Sequence, residues 1–216
     1  MAGRRGSRAR AYREGGFMHE LLGPLVLFAA AMCLTPGPSV VMVTASAANF
    51  GFRRTIPSML GITLGFGFMV MAVGFGLAAL FHAEPRLHTL LKYAGAGYLL
   101  YLAWRIARAD AASSDSTRAK PINFIEAVLF TWVNPKGWVT AVGALAAYTT
   151  VGGEVLSQTS VIASVLAGAC LASVVIWAGF GRAIARFLGS PRARSAFNRS
   201  MAGLLVLSLI SVFWPG

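Results

Sequence analysis

Acidic residues are scarce in this chain: only 7 of its 216 residues are Asp or Glu, and charged residues of both signs make up 12%. An ordinary soluble domain is about 25% charged and about 45–50% apolar. This chain is 56% hydrophobic, with a mean hydropathy of +0.67. So few charges cannot cover a globule with a solvated surface, and so few carboxylates leave little for a carboxylate-rich active site. The composition predicts an integral membrane protein.

Cysteine is also rare. Cys33 and Cys170 both lie in apolar runs, without the Cys-x-x-Cys or Cys/His spacing of a metal site. We interpret both as small buried hydrophobic residues. The sequence has no HExxH motif and no close pair of aspartates, so it predicts neither a metal site nor a cofactor.

Long hydrophobic runs are what the chain does have. Six of them reach the length of about 17–25 residues that a helix needs to cross a hydrocarbon core of about 30 Å. We therefore predict an all-α membrane protein with six transmembrane helices. The runs are Leu21–Asn49, Thr55–Phe81, Leu87–Arg108, Asn123–Thr150, Val155–Gly181 and Phe197–Trp214.

Proline interrupts the first and the fourth of these runs. Pro36 and Pro38 flank Gly37 in the first run, and Pro135 follows Asn134 in the fourth. A proline inside a helix removes a hydrogen bond and clashes with the preceding turn, at a cost of about 3 kcal/mol or more. We therefore predict that helices 1 and 4 are broken, and that the matching breaks divide the chain into two three-helix repeats.

Because each repeat has three spans, an odd number, the second repeat is inverted in the membrane relative to the first. Inverted repeats with a discontinuous helix in each half are the design of many secondary transporters, whose substrate sites lie near the bilayer midplane. Irregular backbone at that depth is tolerated only where it is buried or lines a wet cavity. We expect a single transmembrane domain at 18–214. Repeat 1 is at about 21–108, a linker at 109–122, and repeat 2 at about 123–214.

Basic residues mark one side of the predicted bundle. Eleven lie in or beside loops one, three and five, whereas the second loop region has Arg86 and Lys92. This asymmetry predicts that the odd-numbered loops are cytoplasmic and that both termini are outside. The net charge of +12 is thus mostly an orientation signal, and we expect no nucleic-acid partner. The eleven are Arg53, Arg54, Arg105, Arg108, Arg118, Lys120, Arg182, Arg186, Arg192, Arg194 and Arg199.

The N-terminal tail, residues 1–17, conflicts with this orientation. Its arginines would hold the N-terminus inside. We expect that translation begins at Met18, so that the tail is absent from the mature protein. The arginines are Arg4, Arg5, Arg8, Arg10 and Arg13.

The residues around the breaks carry a family resemblance. The segments are Leu34-Thr35-Pro36-Gly37-Pro38-Ser39, then Gly51-Phe52-Arg53-Arg54 and Gly61-x-x-x-Gly65, and finally Val133-Asn134-Pro135-Lys136-Gly137. They resemble the two motifs of the LysE/RhtB superfamily of amino-acid exporters, and the likeness runs from Met18 to about Trp214. It implies a multi-pass carrier of the bacterial inner membrane that expels amino acids or their derivatives. The membrane potential or an ion gradient would drive it.

We expect the substrate-binding and translocation site at the two breaks. A lysine at a helix centre costs about 2.5–3.5 kcal/mol on insertion scales, so Lys136 is a functional candidate. Its ammonium would receive a substrate carboxylate or join a proton relay. Alternatively, it snorkels to an interface or caps carbonyls freed by Pro135. Thr35 and Asn134 either contact substrate or satisfy freed backbone groups. The predicted site residues are Thr35, Pro36, Gly37, Pro38, Asn134, Pro135, Lys136 and Gly137.

Three further residues have a predicted role. Glu126, at the edge of the fourth span, would either titrate during transport or sit in the headgroup region near Lys120, and we favour the second role. Gly61 and Gly65 form a small-xxx-small pair, for which we predict close helix packing.

An intramembrane enzyme is one alternative, because the segment Gly37-Pro38-Ser39-Val40 fits the loose G-x-S-x pattern of a serine nucleophile. A nucleophile needs a base within hydrogen-bond reach, whereas His19, His82 and His88 lie at predicted span ends. We therefore predict no catalytic residues.

Our preferred interpretation is a secondary transporter that exports amino acids by alternating access. Its partners are the substrate, a coupling ion and the lipid bilayer. A cation exporter of the same superfamily is the nearest alternative, and the scarcity of embedded acids disfavours it. A purely structural membrane protein would not need two matched helix breaks.

Overall fold

A computed structural model of the chain describes residues 21–77, 83, 85–109, 120–150 and 154–209, and the described part is all-helical. The tail at 1–17, positions 110–119 of the predicted linker and positions 210–214 of the predicted last span lie outside the described residues. The helices are α1 Leu21–Leu34, α2 Pro38–Phe50, α3 Phe52–Ala72, α4 Pro85–Ala107, α5 Phe124–Val133, α6 Pro135–Tyr148, α7 Val155–Ala185 and α8 Pro191–Ser208.

The chain starts a new helix at both proline breaks. Helices α1 and α2 are bent by 56° relative to each other. Only Asn134 separates α5 from α6, and its side chain accepts a hydrogen bond of 3.2 Å from the backbone N–H of Lys136. Pro38 and Pro135 occupy the first turns of α2 and α6, where the missing N–H would have no helical partner anyway. Each break therefore ends one helix and starts the next, and at the second break Asn134 also caps α6.

The described helices include two that are each long and apolar enough to cross a membrane, Phe52–Leu77 and Val155–Ala185. The bent pair α1 and α2 qualifies as a third if it counts as one span. Helices α5 and α6, with 10 and 14 residues, are each too short to cross alone. Length and composition thus give two or three candidate spans among the described helices, and the count of six stays a prediction.

Three described helices, α3, α4 and α8, begin earlier than predicted from hydropathy, and local structure explains two of these starts. The last begins at Pro191 rather than Phe197, because Ser190 Oγ accepts a hydrogen bond of 3.1 Å from the Ala193 backbone N–H and caps it. Helix α3 begins at Phe52 rather than Thr55, because Gly51 has a φ of 84° and turns the chain directly out of α2. A cap at Ser190 and a turn at Gly51 set these starts, and a hydropathy pattern detects neither.

Helices α2, α3 and α7 form the centre of the bundle. Helix α3 packs against α5 and α7, α2 packs against α7, and α4 packs against α8. Phe130, Met42 and Ile62 are among the largest fully buried side chains. Leu27 and Phe68 are 72% and 65% exposed, as expected for side chains on a lipid-facing perimeter.

Glycines set the closest helix contacts. The backbone carbonyl of Phe124 and the Cβ of Ala127, both in α5, lie where a Cβ on Gly61 would be. One turn further along α3, a Cβ on Gly65 would lie 3.3 Å from the Cα of Val128. The structure therefore places both glycines of the small-xxx-small pair on the α3–α5 interface.

Polar side chains join the helices at the end of the bundle that carries the basic loops. Asn198 is fully buried and exchanges hydrogen bonds of 2.7 and 3.2 Å with Asn49. Glu126 caps α5 together with Asn123 and forms an ion pair of 2.9 Å with Arg105. Arg105 also donates a hydrogen bond of 3.0 Å to the carbonyl of Lys120, so Glu126 lies near Lys120 through a shared arginine.

Gly61→Ala should lower the free energy of unfolding by about 1–3 kcal/mol, the usual cost of overpacking. The new methyl group would overlap the Phe124 carbonyl and lie 2.8 Å from the Cβ of Ala127. Gly97→Ala is the matched control, because no described atom lies within 4 Å of a Cβ at that helical position. It should leave stability unchanged or raise it by up to about 1 kcal/mol. Thermal unfolding in detergent compares the two, and equal melting temperatures would contradict the packing role.

Candidate functional site

The two helix breaks lie against each other, although about a hundred residues separate them in sequence. Lys136, in the first turn of α6, extends to the other break, where its Nζ donates a hydrogen bond of 2.6 Å to the carbonyl of Thr35. Asn134 Nδ2 donates a second bond of 3.1 Å to Ser39 Oγ, in the first turn of α2. The structure therefore brings Thr35, Asn134 and Lys136 into one site.

Gly37 makes room for the lysine. A Cβ built on Gly37 would lie 2.9 Å from Cδ and 3.3 Å from Nζ of Lys136. The half-buried stem of Lys136 thus crosses the first break where the chain has no side chain. The glycine of the first break is explained by this close approach.

The last carbonyls of α1 have no hydrogen-bond partners within their own helix, and side chains of other helices donate hydrogen bonds to them. Ser173 Oγ donates a bond of 2.6 Å to the Cys33 carbonyl, and Trp177 Nε1 donates one of 3.3 Å to the Leu34 carbonyl. Lys136 completes the set at Thr35. In this conformation Lys136 caps the carbonyl of Thr35, which belongs to the opposite break, rather than a carbonyl freed by Pro135.

Sequence reasoning missed Ser173 and Trp177. Both lie on α7, a helix whose sequence shows neither a break nor a motif. A lone serine or tryptophan in an apolar helix carries no signal for which distant carbonyl it will meet. The pairing depends on how α7 packs beside α1.

A cavity of about 500 Å³, including its open mouth, lies between the breaks, α3 and α7. Its apolar wall includes Val40, Ile62, Phe66 and Val174. Among the described residues that line it, Lys136 is the single charged side chain. The polar lining consists of Thr35, Ser39, Thr131, Asn134, Lys136, Thr140 and Ser173.

The predicted site residues divide into two groups. Thr35, Gly37, Asn134, Lys136 and Gly137 line the cavity. The three prolines of the breaks, Pro36, Pro38 and Pro135, are outside the lining and act on the backbone, by ending or starting helices.

Both cysteines also line this cavity, where the sequence predicted only buried hydrophobic residues. Cys170 is buried and Cys33 is half-buried. Among the described residues, no group of three or more His, Cys, Asp or Glu side chains could hold a metal ion.

The arrangement is suited to binding a small zwitterion. One ammonium group, several hydroxyls and an amide face an apolar wall, and the positive ends of the half-helices α2 and α6 lie beside them. Ser39 Oγ is bonded to the Asn134 amide, which cannot act as a general base, so this serine is not arranged as a nucleophile.

Comparison with known proteins shows the family to which the sequence belongs. The sequence model described as LysE type translocator matches residues 30–213, which include both breaks. The chain is similar to proteins called cysteine/O-acetylserine efflux protein. It is 29% identical to those of Escherichia coli (strain K12) and Shigella sonnei (strain Ss046) and 28% identical to that of Escherichia coli O139:H28. Each match spans 197 residues, 90% of this chain and 98% of the relative.

No solved structure matches the chain. The family match nevertheless covers most of the sequence and both motifs, and translocators of this family are transporters rather than enzymes. This chain therefore belongs to the LysE type translocator family.

Proposed function

We propose that the protein is a secondary transporter that exports small neutral amino acids or their derivatives across the bacterial inner membrane by alternating access. The observation that carries the proposal is the hydrogen bond from Lys136 in one helix break to Thr35 in the other, beside a cavity. Family membership supports transport, and the relatives' names support a cysteine-like or O-acetylserine-like substrate.

A zwitterionic substrate can replace the Lys136–Thr35 bond with two of its own. Its carboxylate takes the Lys136 ammonium in a charge-assisted hydrogen bond, which is stronger than a bond to a neutral carbonyl. The released carbonyl of Thr35 then accepts from the substrate ammonium. The substrate thus joins the two breaks through the same pair of groups that join each other in its absence.

The remaining lining favours small neutral side chains. Ser39 Oγ, which accepts from Asn134, offers its O–H to a hydroxyl or ester group. Thr140 and Ser173 donate to the carbonyls of Lys136 and Cys33 and offer acceptor oxygens to a thiol or hydroxyl, and the apolar wall accepts the methylenes. In such a wall one methylene changes affinity by only about 1–3 kcal/mol, so we expect a broad range of substrates. A cationic side chain would face Lys136 with no carboxylate among the described lining residues, which also disfavours a cation exporter.

The proposed architecture has six spans in two inverted repeats within the single domain 18–214. In it, α1 with α2 and α5 with α6 are the two broken spans. Two contacts support a twofold relation between the repeats, because α3 packs on its counterpart α7 and α4 packs on its counterpart α8. The membrane potential or an ion gradient supplies the driving force, and the odd-numbered loops face the cytoplasm.

Efflux from loaded cells tests the function. Cells that overproduce the protein should release radiolabelled cysteine, O-acetylserine or serine faster than control cells, and should release lysine and arginine at the control rate. The reason is that Lys136 receives a carboxylate and repels a second cation. Absence of added efflux for every compound tried would refute the exporter. Export restricted to lysine and arginine would refute the neutral substrate class.

Lys136→Met should raise the KM for efflux by about ten- to a hundredfold, the equivalent of losing a hydrogen bond to a charged group worth about 1.5–3 kcal/mol. Lys136→Arg keeps the charge and should retain part of the affinity. Arg192→Gln, at an exposed cation beyond α7, is the control and should behave as wild type. An unchanged KM in Lys136→Met, with only the melting temperature lowered, would restrict Lys136 to capping the Thr35 carbonyl.

Reporter fusions test the orientation. Eleven basic residues on one side predict an external C-terminus, so alkaline phosphatase fused there should be active. The same enzyme fused after Arg54, in the first turn of α3, is the matched control and should be inactive. An inactive C-terminal fusion together with a fluorescent cytoplasmic reporter at the same position would overturn the proposed topology.

A further inference from the structure

A second cavity lies toward the end of the bundle that carries the basic loops. It measures about 1580 Å³ with its open mouth and is enclosed by α2, the C-terminal end of α4 and the segment 120–126. The function proposed above assigns it no role. Its position relative to the site between the breaks suggests one.

One face of α2 connects the two cavities. Ser39, Met42, Ser46 and Asn49 follow each other at helical intervals of three or four residues and therefore share a face. Ser39 lines the site between the breaks, and the other three line the second cavity. The two spaces thus succeed each other along a single helix face.

Helix α5 repeats this pattern. Thr131 of α5 and Asn134, which directly follows this helix, line the site between the breaks. Glu126 of α5 and Asn123, which directly precedes it, line the second cavity. Phe130 lies between these two groups on the same face. The same two helices therefore form walls of both cavities, in the same order.

A short barrier of large side chains occupies the intervening position. Met42 and Phe130 are both 0% exposed and are among the largest fully buried side chains among the described residues. Met42 also lines the second cavity. On the same face of α2, Ser39 lines one cavity, and Ser46 and Asn49 line the other.

The charge of the second cavity suits an amino acid on its way to the site. Arg105, Arg108 and Lys120 line it together with a single acid, Glu126, which is paired with Arg105. The guanidinium of Arg108 lies 4.8 Å from the ring centre of Trp104, which helps to hold it at the mouth. Such a basic cleft attracts and orients the carboxylate end of a zwitterion.

We propose that the second cavity is the cytoplasmic vestibule through which an amino acid reaches the site between the breaks, and that Met42 and Phe130 close this vestibule from the site in the present conformation. The proposal rests on the transport function proposed above. It adds the route, the side from which the substrate comes and the residues that block it.

Cysteine accessibility in oriented membrane vesicles tests the vestibule. Ser46 lines the cavity with its Oγ 3.1 Å from Thr55 Oγ1, so Ser46→Cys places a thiol at the cavity wall. Thr44→Cys is the matched control, because Thr44 is equally buried on the same helix but faces α7, where its Oγ1 donates a bond of 3.3 Å to the Trp177 carbonyl. The reagents are membrane-impermeant methanethiosulfonates that carry a sulfonate or a trimethylammonium group. Peptide mass identifies the labelled residue and separates it from the native cysteines.

In inside-out vesicles, Ser46→Cys should react with the sulfonate reagent about tenfold faster than Thr44→Cys, and faster than with the cationic reagent, because the basic cleft concentrates anions. Equal rates for the two variants would overturn the vestibule. Reaction of Ser46→Cys only in right-side-out vesicles would overturn its cytoplasmic side. Reaction with a lipid-soluble maleimide alone would also refute it, since the cavity would then hold lipid.

A third thiol tests the barrier. Ser39→Cys lies beyond it, on the same face of α2. Combining it with Met42→Ala should accelerate its labelling from the cytoplasmic side. Met59→Ala, which removes another buried methionine from α3, should not. Equal acceleration by both would refute the barrier role of Met42.

Efflux by the wild-type protein is measured separately from these labelling rates. Loss of all efflux would refute the proposed function but leave the labelling pattern as it is. Normal efflux would refute the vestibule alone if Ser46→Cys were labelled no faster than Thr44→Cys, or only from the external side.

Discussion

Backbone groups released by the helix breaks must find partners inside the protein, and the rest of the site depends on this constraint. In a hydrocarbon environment an unpaired carbonyl costs several kcal/mol. Here the last carbonyls of α1 are taken by Ser173, Trp177 and Lys136, which come from two other helices. The break is therefore stable only when α6 and α7 are packed beside it.

One of these three donors differs from the others in kind. The serine and tryptophan make neutral bonds, whereas the lysine brings a charge that a carboxylate can compete for. In the function proposed above, this difference lets a substrate carboxylate replace the Thr35 carbonyl as the partner of Lys136. Gly37 and Asn134 serve this exchange indirectly, since the glycine leaves space for the lysine stem and the amide ties the start of α6 to Ser39.

One of the chain's few charged residues makes two contacts at the second cavity. Arg105 forms an ion pair with Glu126 and also bonds the carbonyl of Lys120, so a single cation organises the mouth of the second cavity. Deeper in the bundle the polar contacts are mostly neutral, as between Asn134 and Ser39. Lys136 is the exception, and the cost of a charge at such a position is the reason that we propose a function for it.

Composition alone determined that this is a membrane protein, and the prolines determined where its helices break, because both effects are local: apolar residues cannot form a solvated surface, and a proline cannot continue a helix. The motifs at the breaks also determined the family. Only the tertiary structure decided that Lys136 meets Thr35, that Ser173 and Trp177 complete the cap, and that both cysteines line the cavity. Those contacts join residues 101 to 143 positions apart, and they exist because α6 and α7 pack beside the end of α1, where Gly37 leaves room for the Lys136 side chain.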